Sequence, residues 1–136
     1  MIHRELAEVQ PDLYRGPLAQ TLLAVTGLLD ELGRYEEGLG KGEEAKEIFG
    51  DLVERHPDTY RVDWAVSLGF LGVCLGRLGR HEEALAIEER AEVIMRELAR
   101  RQPDAYKAAW AAALTNIGNR MRDSVAIRKP WRSPNK

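Results

Sequence analysis

Apolar residues recur along the chain at steps of three and four positions, which is the spacing of one face of an α-helix. Gly79 separates two such runs, and Pro103 follows the second one. Glycine commonly ends a helix in the left-handed conformation, and the residue before a proline is disfavoured in a helix. The pattern therefore predicts two consecutive helices, with apolar faces formed by Leu68, Leu71, Leu75 and Leu78 and by Leu85, Ala91, Ile94 and Leu98.

The two-helix pattern repeats with a period of 46 residues. Residues 11–56 and 57–102 align without a gap at 18 identical positions, which include the segment L-G-R-x-E-E-x-L between the two helices. The segment P-D-x-Y opens both units and recurs at Pro103. Residues 103–123 match only a first helix, and residues 2–10 match only the end of a second helix.

The repeat predicts an all-α solenoid of antiparallel helix pairs, with about five helices plus an N-terminal half helix. We expect the helical repeat domain to occupy residues 1–123. Residues 124–136 contain two prolines and mixed charge, which predicts a basic, disordered tail without a second helix.

Two local deviations are expected in the first unit. Pro17 should lie at or near the start of the first helix, where a missing N–H costs little. The second helix should begin weakly, with a distorted first turn, because glycine is a poor helix former. The glycines concerned are Gly38, Gly40 and Gly42.

The formal net charge of −2 is unevenly distributed. Residues 120–136 contain six basic residues and one acid, and removing these from the chain totals of 20 and 22 leaves 14 basic and 21 acidic residues in 1–119. An acidic body disfavours nucleic-acid binding, because phosphates require a basic surface. The basic segment around Trp131 keeps weak nucleic-acid binding open as an alternative.

Several classes of function have no support in the sequence. The single cysteine, Cys74, excludes an intrachain disulfide and is typical of a core residue. The histidines His3, His56 and His81 are too scattered for a metal site, and no catalytic set is suggested by spacing. We therefore predict no enzyme activity, no cofactor and no metal. With neither a signal peptide nor a membrane-length apolar run, a cytoplasmic protein without membrane contact is expected.

The repeat resembles the tetratricopeptide repeat over about residues 2–123. The period of 46 exceeds the usual 34 or so and is similar to the long, kinesin-light-chain-like type. The usual aromatic residue in the middle of the second helix is replaced by Gly42 and Glu88, which predicts looser packing between units. Counted from Ala65, the positions that match the family signature are Leu68, Leu71, Gly72, Leu75, Gly79, His81, Ala84 and Ala91.

The resemblance implies a non-catalytic scaffold that binds a protein partner in the concave groove of the first helices. An apolar groove suits an amphipathic helix, a peptide or another copy of the chain, although Leu23 and Phe70 would equally suit packing between neighbouring first helices. Similar arrays in bacterial signalling proteins leave a ligand-sensing, regulatory segment as an alternative. The groove candidates are Leu23, Gly27, Phe70, Val73, Asn116, Asn119 and Arg122.

The two incomplete ends suggest self-association, because a repeat unit cannot bury its apolar face alone. We expect the N-terminal fragment or the first unit of one chain to complete the third unit of another, either reciprocally in a two-fold dimer or head to tail in a ring or filament. Alternatively, residues 124–136 fold back as a cap, or the chain is a fragment of a longer array. The residues expected at these ends are Ile2, Leu6, Leu114, Ile117 and Met121.

Overall fold

The computed structural model of the protein describes the backbone of residues 11–128 and the side chains of residues 14–123. This part of the chain forms five α-helices and no strand, which confirms the all-α prediction. Consecutive helices pack against each other in an antiparallel order, as in an α-solenoid. The helices are α1 (Pro11–Glu31), α2 (Tyr35–Arg55), α3 (Pro57–Arg77), α4 (His81–Arg101) and α5 (Pro103–Arg128).

The turn inside each unit ends its first helix with a left-handed glycine. Gly33 and Gly79 have φ values of 75° and 79°. After Gly33, the Arg34 N–H donates to the Leu29 carbonyl at 2.8 Å, while the Gly33 N–H donates to Asp30 at 3.0 Å. This pair of bonds is the Schellman motif, which satisfies carbonyls that the helix leaves unpaired. The predicted glycine cap is therefore confirmed.

The junction between units is a single residue. His56 separates α2 from α3, and Gln102 separates α4 from α5. Pro57 and Pro103 then occupy the first position of the next helix, where the missing N–H has no intrahelical partner to lose. The short junctions keep neighbouring helices in contact along the array.

The core is continuous along the array because α3 takes part in both buried clusters. Tyr60 and Trp64 of α3 pack against the first cluster, and Leu71, Cys74 and Leu75 of α3 belong to the second. The members of the first cluster are Ala19, Leu22, Ala45, Phe49 and Leu52, and the other members of the second are Leu39 and Ala84.

Two predictions of helix starts were wrong. Pro17 lies inside α1, which begins six residues earlier at Pro11, because the P-D-x-Y segment starts every first helix in the repeat. Helix α2 begins regularly, since the Gly38 N–H donates to the Arg34 carbonyl at 3.0 Å, as Ala84 does to Arg80 in the next unit. Packing between helices outweighs the low helix propensity of glycine here.

The expected boundary between the repeat and its tail falls inside a helix, because α5 continues to Arg128. The remaining eight residues of the predicted tail, 129–136, lie outside the described part of the chain, as does the predicted N-terminal half helix at 2–10.

Candidate functional site

A cavity of about 300 Å³ lies between α3 and α5, above α4. Its walls are almost entirely apolar, with Phe70 and Val73 from α3, Met95 from α4 and Ala112 from α5. The polar residues that line it are Glu88 and Asn116. Three of the predicted groove residues, Phe70, Val73 and Asn116, are thus brought to one site.

The other groove candidates lie elsewhere. Leu23 is half-buried against the first core cluster, and Gly27 lies under the ring of Phe70, since a Cβ on Gly27 would be 3.3 Å from Phe70 Cε1. Phe70 therefore packs between α1 and α3 and also lines the cavity. Asn119 and Arg122 hydrogen-bond to each other beside a shallow polar depression, which Val73 also lines.

The repeat itself explains why the cavity lies between α3 and α5. Phe70 of α3 reaches back onto Gly27 of α1. One period later, the same positions are Asn116 of α5 and Val73 of α3. Asparagine is much smaller than phenylalanine, so it leaves a space between these two helices that Phe70 fills between α1 and α3.

Glu88 is a buried carboxylate at the α4 side of the cavity, with an exposed fraction of 2%. Its Oε1 accepts a hydrogen bond from Arg120 Nε at 3.1 Å, whereas its Oε2 has no hydrogen-bond partner among the described residues. Burial raises the pKa of Glu88, because it disfavours the charged form, and the hydrogen bond and charge of Arg120 oppose that rise. An isolated buried carboxylate would be far more costly.

A glycine on α3 makes room for Glu88. A Cβ on Gly72 would lie only 2.9 Å from Glu88 Cδ. One period earlier the sizes are exchanged: Thr26 faces Gly42, with 3.4 Å between Thr26 Cγ2 and a Cβ placed on Gly42. A Cβ placed on Gly42 would also lie 3.0 Å from Leu71 Cδ2. The predicted loose packing therefore does not hold at Gly42, whereas Glu88 does border a cavity.

Arg120 makes three polar contacts, two of which connect α5 to α4. Besides Glu88, its Nη1 donates to Asp123 Oδ2 at 3.2 Å and lies 3.4 Å from His81 Nδ1. The guanidinium passes so close to Gly76 of α3 that a Cβ there would lie 2.7 Å from Nη2. The Arg120 side chain is 13% exposed, so this ion pair is shielded from solvent.

Sequence reasoning missed Glu88 and Arg120 as a pair. A signal was present, since Arg120 aligns one period after Cys74, a core position, and Glu88 replaces an expected aromatic residue. The sequence alone did not reveal that Glu88 and Arg120 meet beside two glycines of α3, Gly72 and Gly76.

The outer face of α5 is apolar and exposed. Leu114 is 46% exposed and Met121 is 52% exposed, and Ile117 between them is half-buried. One period earlier, the equivalent Leu68 and Leu75 are 0% and 3% exposed, and Leu75 belongs to the same core cluster as Ala84 of α4. At the opposite end, Leu28 of α1 is 59% exposed, and Leu32, which directly follows α1, is 68% exposed. The other predicted end residues, Ile2 and Leu6, lie outside the described residues.

Trp64, Trp110 and Cys74 have structural surroundings. Trp110 Nε1 donates to Glu92 Oε2 at 2.8 Å, and Arg90 stacks over Trp64 at 5.3 Å from the ring centroid. Cys74 is buried, and that burial raises the pKa of its thiol. His3 lies outside the described part.

Within residues 14–123, no three histidine, cysteine, aspartate or glutamate side chains are grouped so that they could hold a metal ion. No helix between residues 11 and 128 is both long and apolar enough to cross a membrane.

Comparisons with known proteins leave the chain without an identified relative: no family model, no curated protein and no solved structure matches it.

Proposed function

We propose that the chain is a tetratricopeptide-like, non-catalytic protein-interaction module, and that a second copy of the chain docks on the outer face of α5. The observation that supports this most directly is the exposure of Leu114 and Met121, at positions that are buried in the preceding unit. Burying apolar surface is the main driving force for association, at about 25 cal/mol per Å².

The chemistry of the docking segment follows from the complete units. In both of them, the corresponding face of the first helix is covered by an amphipathic second helix, α2 over α1 and α4 over α3. A helix of the same kind is therefore the best fit for α5. The chain carries such helices itself, and the sequence of residues 2–10 matches the end of one.

A second copy is favoured over an unrelated helix because both ends of the array, within residues 14–123, expose apolar side chains. Leu28 of α1 aligns with Cys74 of α3, which lies against α2, the second helix of the preceding unit. The exposed face of α1 is thus also a position for a second helix. A second helix of a unit, like α2 or α4, could lie between α5 of one copy and α1 of another. It would cover both exposed faces and continue the solenoid head to tail.

Sedimentation equilibrium over a wide range of protein concentration tests this proposal. The wild-type mass should rise with concentration, and Met121→Glu should keep the protein monomeric because it places a charge in the docking face. Val93→Glu is the matched control, since Val93 on α4 is also 52% exposed. It should associate like the wild type. A wild-type protein that stays monomeric, or two variants that behave alike, would contradict the proposal.

A further inference from the structure

The cavity between α3 and α5 combines an apolar wall with one unsatisfied acid. Glu88 is only 2% exposed, and it lines the cavity. Its Oε2 has no hydrogen-bond partner among the described residues. A buried acceptor without a partner destabilises the folded state, and more so when it is charged. A donor that enters through the cavity would remove this cost.

We propose that this cavity binds a free aliphatic primary amine, with its hydrocarbon chain against Phe70, Val73 and Met95 and its ammonium group on Glu88 Oε2. This site is separate from the outer face of α5, so it goes beyond self-association and does not depend on it. The cavity of about 300 Å³ is at the lower end of the range for small-molecule pockets and suits a short chain.

The geometry favours an ammonium over a guanidinium. A guanidinium binds a carboxylate best as a fork that uses both oxygens. Here Oε1 of Glu88 is already bonded to Arg120, so a single oxygen remains for the ligand. An ammonium acts as a compact point charge that needs one acceptor, and it tolerates the apolar walls because its hydrocarbon chain packs against them.

Binding requires a small movement of Glu88. Its Oε2 exposes less than 1 Å² of surface, so the carboxyl group has to turn toward the cavity when the head group arrives. The last torsion of a glutamate side chain has a broad energy minimum, which keeps the cost of that turn low. Because this turn moves both oxygens, the Arg120 side chain has to follow Oε1 while Oε2 bonds to the amine.

Nuclear magnetic resonance titrations with hexylamine, hexanol and hexanoate at neutral pH test the inference. The methyl resonances of Val73 and Met95 report on the cavity. Hexylamine should bind about tenfold more tightly than hexanol, which corresponds to about 1.4 kcal/mol for the charge-assisted bond, and hexanoate should bind most weakly. Equal affinity for the amine and the alcohol would overturn the inference.

Two variants test whether Glu88 is the source of the preference for the amine over the alcohol. Glu88→Gln keeps the size of the side chain and should reduce the amine-to-alcohol affinity ratio to about one, whereas Glu89→Gln changes the same charge on an exposed neighbour and should leave the ratio unchanged. A Glu88→Gln protein that retains the amine preference would overturn the assignment.

A variant that fills the cavity and a blocked lysine provide two further tests. Ala112→Leu fills the cavity from α5 and should weaken both hexylamine and hexanol at least fivefold, even if Glu88→Gln does not fold. Unchanged affinities in this variant would place binding elsewhere. Lysine with both backbone groups blocked should bind more weakly than hexylamine. If it binds more tightly, the natural occupant is a protein side chain and the free-amine inference is overturned.

Discussion

At the residue scale, the least expected feature is a carboxylate in the centre of the array. Glu88 is accommodated because Gly72 provides space on α3 and Arg120 provides a counter-charge from α5. Glu88 and Arg120 are unusual for their repeat positions, but together with Gly72 they form one consistent contact. An exchange of a large and a small residue across a helix interface conserves volume, which is the kind of change that cores tolerate best.

The buried carboxyl group predicts a particular pH dependence of stability. Since burial raises the pKa of Glu88 in the folded state, the folded protein holds this proton more tightly than the unfolded chain. The resulting stabilisation is fully present below the pKa of the unfolded chain, and it is lost as the pH rises through the folded value. Relative to Glu88→Gln, the wild type should therefore lose free energy of unfolding as the pH rises from about 4 to neutrality.

Urea unfolding of both proteins at several pH values measures this difference. The exposed neighbour supplies the control, because Glu89→Gln should parallel the wild type over the same range. A constant difference between the wild type and Glu88→Gln would show that the Glu88 pKa is the same in the folded and unfolded states.

At the element scale, each unit depends on a turn that only glycine adopts without strain. Gly79 has a φ of 79°, and a Cβ placed on it would meet no atom within 4 Å. The cost of Gly79→Ala is therefore purely conformational, and about 1–2 kcal/mol of destabilisation is expected.

The matched control is another glycine with open surroundings. Gly40 lies exposed within α2, and a Cβ there also meets nothing within 4 Å, but its backbone is helical. Gly40→Ala should therefore stabilise the protein by up to about 1 kcal/mol. Thermal or urea unfolding of both variants measures these two effects. Changes in the free energy of unfolding that have the same sign would contradict the assignment of strain to the turn.

The elements were largely predictable because the repeat shows each of them twice. The helix face through Leu68 and Leu75 and the cap at Gly79 follow from local rules alone. Pro17 was misplaced because a general preference for helix starts was applied where the repeat, with Pro11 in the equivalent place, was the stronger guide. The contact between Glu88 and Arg120 depends on how two helices approach each other, which no local rule provides.

At the scale of the whole molecule, the array is a chain of neighbouring contacts. Each helix packs on the next, and α1 also contacts α3 through Gly27 and Phe70. Stability in such an array is close to a sum of unit and interface contributions, so damage should remain near its source. The two core clusters, centred on Phe49 and on Leu71, share the helices α2 and α3.

This arrangement predicts a graded response to a cavity in the first cluster. Phe49 is 0% exposed and packs near Tyr60, with 6.3 Å between the ring centroids. Phe49→Ala should cost about 3–5 kcal/mol locally. Native-state hydrogen exchange should accelerate most in α1 and α2, less in α3 and least in α5, because local opening follows the nearest damaged contacts. Equal acceleration in all five helices would instead mean that the array unfolds as one cooperative unit.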